Sequence, residues 1–485
     1  MKISPIRLRG RRSAWVLGAP LLAVGMLLLL QLGLGVPALA AGGDLDPSFG
    51  VDGQVTSTAF SSDGGGNPIA FQADGKIVVA GYVFNPVSDR SRFAVARFDA
   101  DGTLDPTFGG DGTVRTVFRT GKGCYDSAKS VVVQSDQKIV AVGVSSCKRS
   151  APVDAMPETD SLFALARYNG DGTLDTTFGD NGTVMTSFGD PAHCNAQAAG
   201  AALEPDDKIV AAGVAACAKG WDDSRFAVAR YDTDGTLDTS FSDDGMVRTN
   251  FTPQYDKLAD VAVQPDGKIV VAGTAAYWMV ELPDALEERA ALARYNLDGT
   301  LDSTFGGGDG KVTTSFHSRR CGGSNESYGL AIQPDGKIVE GGSAGCAASV
   351  GGLPHPRWAL ARYRPNGRLD PTFGGDGRVV TIFLAEEGAD WMYAGVAIQP
   401  NGKIVAAGTT GRMNFRFTLA RYRVNGRLDK TFGDDGRVRT VFECSWPGGA
   451  SGLWDGLAIQ ADRKIVASGG GGCLSSFVMA RYLPS

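Results

Sequence analysis

One unit, repeated seven times, limits what this chain can fold into more than any other feature. A Leu-Asp-x-x-Phe motif begins at Leu45, Leu104, Leu174, Leu237, Leu301, Leu369 and Leu428, in steps of 59, 70, 63, 64, 68 and 59 residues. A second motif reads Gln-Pro-Asp-Gly-Lys-Ile-Val at Gln264 and Gln333, with variants at Gln72, Gln134, Glu204, Gln399 and Gln460. A third, Ala-Arg-Tyr or Ala-Arg-Phe, carries Arg97, Arg167, Arg230, Arg294, Arg362, Arg421 and Arg481. The three motifs keep one order throughout, as expected of a chain built from stacked supersecondary units. The units run approximately over 44–98, 99–168, 169–231, 232–295, 296–363, 364–422 and 423–485, which leaves no room for a separate catalytic domain.

Each unit reads as four strands. Strand A follows the Phe-Gly-x-Asp-Gly segment, as in Thr113–Phe118; strand B precedes the glutamine, as in Asp260–Gln264. A Pro-Asp-Gly turn joins B to strand C, Lys-Ile-Val-Val-Ala-Gly, because Asp and Gly suit tight hairpins. Strand D is Phe163–Tyr168 and its equivalents. Glycine, 67 of 485 residues, is about twice its usual share and has no collagen period, which fits many short strands and tight turns. The expected fold class is all-β: a seven-bladed β-propeller of four-stranded antiparallel blades. The segment from D to the next A is expected to cross between blades, its Leu and Phe wedged into the core. A solenoid of hairpins would need capping repeats at its ends, and the motifs show none.

Residues 1–41 read as a signal peptide. Lys2, Arg7, Arg9, Arg11 and Arg12 form a basic head, an apolar run follows to Val36, and Ala38-Leu39-Ala40 supplies the small residues at a cleavage site. The alternative is an uncleaved anchor. Removal takes the formal net charge from −6 to −11, which argues against nucleic acid and anionic membranes as partners. The eight cysteines fall two apiece in four units, each pair bracketing a B–C hairpin: Cys124 and Cys147, Cys194 and Cys217, Cys321 and Cys346, Cys444 and Cys473. Four intrablade disulfides are expected, in keeping with a secreted or cell-surface protein.

Few residues suggest chemistry. Asp99-x-Asp101-Gly-x-x-Asp105 resembles an oxygen-ligand loop for calcium, but later copies place Arg364 and Arg423 at its first position, as a turn tolerates and a cation site does not. No cofactor is expected, with calcium in the early copies as the alternative. The repeated arginine and the carboxylates Asp46, Asp105, Asp175, Asp238, Asp302, Asp370 and Asp429 each occur seven times, which speaks for a structural ion pair. His193, His317 and His355 lie in segments that the copies do not share, and no nucleophile elbow or phosphate loop is visible. Glu340 interrupts a strand C position held elsewhere by Val or Ala, so it faces the channel, points outward or is locally paired.

Length variation gathers in loops A–B and C–D, on one face, with Trp221, Trp278, Trp391, Trp446 and Trp454 in or beside them. With Tyr277 these are the candidate ligand-binding residues, since clustered aromatics suit a protein partner or stacked sugars. The alternative is that they cover the core beneath long loops. Together the three motifs resemble the bacterial delta-60 repeat family of uncharacterised exported proteins. The resemblance spans residues 44–482 and implies a β-propeller, without implying an activity. Gln137, Asp207 and Arg463 depart from its turn glycine, and Ser242 from the glycine after Phe. The expected function is a non-enzymatic, monomeric binding scaffold for an extracellular glycan or protein. The alternatives are a propeller glycan lyase or hydrolase, or a structural envelope protein.

Overall fold

In a computed structural model, the described residues are 41–60, 68–148, 159–189, 194–217, 223–278, 286–316, 325–345, 357–383, 390–391, 395–410, 416–442, 452–471 and 476–484. Strand C is a continuous run of apolar and small residues, such as Ile209–Ala216, and both it and strand D, such as Ser224–Tyr231, are buried along nearly their whole length. A strand buried on both faces loses the alternation of a half-exposed one. The abundant Ala and Gly let neighbouring sheets approach closely.

The sheets are antiparallel meanders. Asn195–Leu203, Ile209–Ala216, Ser224–Tyr231 and Met246–Thr249 pair in that order, as do Asp256–Val263, Ile269–Trp278, Leu286–Tyr295 and Lys311–Thr314. A parallel bridge between Ser91 and Tyr125 joins the first two meanders into one eight-stranded sheet. Near the C-terminus, Gly452–Ile459, Ile465–Gly471 and Ser476–Tyr482 are completed by Gln54–Ser57, so the N-terminal strand supplies the last edge.

This order corrects one expectation. Strand A pairs with strand D of the preceding unit, Phe226–Ala229 against Met246–Thr249. The D–A segment is therefore a return within one sheet, and the crossing between sheets is the A–B connection. Sequence unit and sheet are out of step by one strand. The Phe of the D–A segment does wedge between sheets: Phe108 is fully buried among Val78, Phe93, Ala128 and Ile139. Each apolar cluster is shared by consecutive meanders, and one joins the last to the first, Val466, Phe477 and Met479 against Ile77, Val79 and Ala94. Tyrosine hydroxyls at the end of strand D also link neighbouring meanders, as Tyr231 Oη donates to Thr186 Oγ1 at 2.8 Å.

The motifs build the opposite face. Arg97 Nε donates to Asp105 at 2.7 Å, and its guanidinium lies 4.8 Å from the Phe108 ring centre. All seven arginines make this pairing, the last joining Arg481 to Asp46 across the chain's two ends. Burial would raise the Asp46 carboxyl, but hydrogen bonds from Ser48 and Lys464 and the Arg481 charge hold it down at about 2. Gln137, Asp207 and Arg463 keep the left-handed backbone of the turn glycine they replace, with φ of 67°, 64° and 72°. Gln137 and Asp207 each accept a backbone hydrogen bond from the turn of the preceding unit, at Ala73 and Ser135.

Strand B carries a bulge wherever its long form is present, as between Ala198 and Gly200. The bulge drives its backbone onto the last glycine of the strand C motif. A Cβ on Gly213 would lie 2.0 Å from the Gln197 carbonyl oxygen. Gly213→Ala is therefore expected to destabilise the protein by about 1–3 kcal/mol, as overpacking does. Chemical denaturation checks this, and an unchanged midpoint would contradict the contact.

Candidate functional site

The bulged strands meet around a central cavity of about 660 Å³, lined from successive repeats by Ile69, Lys129, Gln197, Asp260, Glu326, Val396 and Leu457 among others. Strand B is thus the strand nearest the cavity. Strand B runs toward the Asp-Gly hairpins, so residues before the bulge lie nearer the variable loop face. There the wall is polar and charged, with Gln197, Lys257 and Glu326 at equivalent positions. One step past the bulge the residues are Ser130, Gly200, Asp260 and Gly329, and the wall tightens. A Cβ on Gly329 would meet the Gly395 Cα at 2.3 Å. Ser130 Oγ accepts the Ala201 N–H at 3.0 Å, and Asp260 accepts Leu330 N–H at 2.9 Å and Val261 N–H at 2.8 Å. Burial pushes the Asp260 carboxyl up to about 6 even though those two N–H groups favour its charge.

A second cleft, of about 490 Å³, adjoins this cavity through the shared residues Lys129 and Gln197, and is otherwise lined by Tyr82, Phe84, Tyr125, Val144 and three serines. Phe84 and Tyr125 are near parallel, with ring centres 6.4 Å apart. Tyr125 is held in place: its hydroxyl donates to Asp89 at 2.7 Å, Lys148 Nζ sits 5.4 Å from its ring centre, and the preceding Cys124 is bonded to Cys147.

The expected site residues fare differently. Trp278 is about half exposed at the end of Ile269–Trp278. Tyr277 is partly covered by the Arg289 guanidinium, 4.7 Å from its ring centre. Trp391 and Trp454 lie in strands Asp390–Trp391 and Gly452–Ile459, but their side chains, with Trp221 and Trp446, fall outside the described residues. Disulfides Cys124–Cys147 and Cys194–Cys217 are present; Cys321, Cys346, Cys444 and Cys473 also fall outside. Glu340 does not face the channel. It is buried between sheets, accepting the Tyr363 hydroxyl at 2.8 Å, and burial pushes it up to about 7. Among the described residues, no group of three His, Cys, Asp or Glu is placed to hold a metal, and no helix is long and apolar enough to cross a membrane.

Sequence reasoning passed over Lys129, Gln197, Lys257, Asp260 and Glu326. Their signal was available: strand B differs from copy to copy at these positions, while the three motifs that flank it are nearly constant.

Residues 72–108, 158–178, 204–241, 264–305, 333–373 and 399–432 match a family described as "Domain of unknown function (DUF5122) beta-propeller". No curated protein matches the chain in sequence. Among solved structures, the chain is similar to a polysaccharide lyase, an ulvan lyase, at 12% identity and a TM-score of 0.50, covering 89% of this chain and 96% of that one. A Drosophila plexin A in complex with semaphorin 1b shares 9% identity at a TM-score of 0.41, covering 90% and 88%. A sialidase from Streptococcus pneumoniae shares 9% at 0.40, covering 87% and 68%. At such identities the likeness concerns the fold alone. The chain is built of β-propeller repeats similar to those of that family of unknown function.

Proposed function

We propose that the chain is an exported, seven-bladed binding scaffold that holds a saccharide on its variable loop face. The observation that carries this reading is the placement of variation. The repeats are nearly identical in the residues that build the fold, and they diverge where strand B lines the cavity. A purely structural ring needs no such divergence. The adjoining aromatic cleft supplies what a sugar requires, apolar ring faces for C–H groups and hydroxyl, amide and ammonium groups for its polar edge. Disulfides at Cys124–Cys147 and Cys194–Cys217 suit an oxidising, extracytoplasmic location.

Binding is favoured over hydrolysis or lyase chemistry because the Asp260 carboxylate is taken up by the backbone N–H groups of Leu330 and Val261, where it braces the wall. A glycan array probed with the purified protein and with a Tyr125→Ala/Trp278→Ala variant tests the proposal. Selective binding by the wild type that falls at least about tenfold in a still-folded variant supports it. No binding by the wild type, or release of new sugar ends from any bound glycan, would sink it.

A further inference from the structure

The face opposite the variable loops carries a charge pattern that the fold does not require. Each D–A segment begins with a tight turn, closed by a backbone bond such as Gly235 N–H to the Asp232 carbonyl. Residues 99–103 read Asp-Ala-Asp-Gly-Thr, 169–173 Asn-Gly-Asp-Gly-Thr, 232–236 Asp-Thr-Asp-Gly-Thr and 296–300 Asn-Leu-Asp-Gly-Thr. In the next two units the same turn reads Arg-Pro-Asn-Gly-Arg at 364–368 and Arg-Val-Asn-Gly-Arg at 423–427. The geometry is unchanged: Gly367 N–H donates to the Arg364 carbonyl and Gly426 N–H to the Arg423 carbonyl, both at 2.8 Å. Backbone demand therefore explains the glycine and the Asp or Asn before it, and leaves the arginines unexplained.

The substitutions act together. Asp or Asn at the first turn position and Thr at the last become Arg in consecutive repeats, so Arg364, Arg368, Arg423 and Arg427 lie on one sector of one face, joined by Lys430. All five are exposed. Among the described residues the ion pair made by any of them is Arg423 Nε to Asp429 at 3.6 Å, and Asp429 is already held by Arg421 and Lys403. Elsewhere on this face, basic side chains close onto turn carboxylates, as Lys76 does on Asp99 and Lys208 on Asp232. A cleft of about 530 Å³ beside these turns is lined by Arg427, Asn425, Arg378 and the exposed glycines Gly374 and Gly375.

We propose that this basic sector is a second binding surface, for a linear acidic polysaccharide whose carboxylate or sulfate groups recur along the chain. Four positive side chains that make no ion pair among the described residues, with Arg423 only 3.6 Å from an already shared carboxylate, stand together on a chain of net charge −6, and an anionic partner would complete them. A polymer fits better than a small anion because the charges are spread over two repeats and none is buried. Many weak, solvent-exposed pairs add up only along an extended ligand. The acidic turns of the other repeats, including Asp101, Asp171, Asp234 and Asp298, repel such a polymer and confine it to this sector. The surface is independent of the saccharide site on the opposite face.

The test uses the residues that other repeats already carry, so folding is protected. Arg364→Asp, Arg368→Thr, Arg423→Asp and Arg427→Thr are combined in one variant. Binding of wild type and variant to fluorescently labelled polygalacturonate, dextran sulfate, polyphosphate and neutral dextran is then measured at low and physiological salt. The expected result is binding of polygalacturonate or dextran sulfate and not of neutral dextran. The affinity should fall steeply with salt and be at least about tenfold weaker in the variant. Which polymer binds identifies the anionic group. Equal binding by the variant, equal binding of neutral dextran, binding of polyphosphate alone, or no binding of either acidic polysaccharide would overturn the proposal. So would wild-type self-association that the variant abolishes, since the sector would then belong to a second copy of the chain. Glycan-array binding through Tyr125 and Trp278 should be the same in both proteins, which separates this test from the first.

Discussion

Arg230→Ala is expected to lower the unfolding free energy by about 3–5 kcal/mol, the range for breaking one side of a buried charge pair. Arg230 Nε donates to Asp238 at 2.8 Å, Nη1 reaches Glu204 at 3.3 Å, Nη2 donates to Ser240 at 3.0 Å, and the guanidinium covers the Phe241 ring. Glu204 stands where the other six repeats have Gln, so this arginine neutralises two buried carboxylates. Burial already raises Glu204 despite the Arg230 charge. Without Arg230 both acids would depend on Lys208, which is 2.7 Å from Asp238. Arg294→Ala should cost less, because its corresponding neighbour, Gln264, is neutral. Glu204→Gln added to Arg230→Ala should recover part of the loss. Denaturant melts of the four proteins measure these differences. An unchanged midpoint for Arg230→Ala would remove the ion pair from the account of stability.

The second large effect is a pH dependence that Glu340→Gln should flatten. Glu340 is pushed from an ordinary value of 4.5 up to about 7 by burial, partly opposed by hydrogen bonds from Tyr363 and Ser327. The folded state therefore holds this proton more tightly than the unfolded state. Its contribution is intact below pH 4.5, declines as pH rises through the window up to about 7, and is lowest above it. The loss by pH 8 is about 3 kcal/mol. Asp256 and Asp260, raised to about 6 by burial, act in the same direction over a narrower window. The paired repeat aspartates act oppositely. Their lowered values add stability above the ordinary 3.8 that disappears as pH falls through the folded values. Wild-type stability should thus peak near pH 4–5. Stability curves from pH 3 to 9 check this, and wild type and Glu340→Gln declining in parallel between pH 5 and 8 would refute the Glu340 assignment.

Local chemistry made much of this architecture readable in advance. Gln-Pro-Asp-Gly-Lys forms its hairpin wherever it stands, because turn preference depends on the residues within the turn. Arg97 and Asp105 are eight residues apart on either side of one tight return, so their pairing follows from short-range geometry. Cys124 and Cys147 bracket one hairpin and are direct partners in its ladder. These features recur in each copy, and repetition strengthens every such inference.

The position of strand A was open, because a short strand such as Met246–Thr249 can complete either neighbouring sheet. Only the ladder to Phe226–Ala229 decides it. Glu340 was ambiguous for a related reason. Alternation assigns it a face of its strand, but whether that face meets a channel or another sheet depends on how the sheets stack.

By itself the sequence determined seven repeats, an all-β class, the strand and turn chemistry and the pairing of each arginine from Arg97 to Arg421 with the aspartate eight residues on, since all of these rest on contacts within a few tens of residues. Only the tertiary structure decided that strand B lines the cavity, and that a bulge selects which of its side chains look inward. It also decided that Gln54–Ser57 completes the sheet of Ser476–Tyr482 and that Glu340 is sealed between sheets. Those outcomes depend on ladder register and on sheet-against-sheet packing, where a shift of one residue reverses the face that every side chain presents.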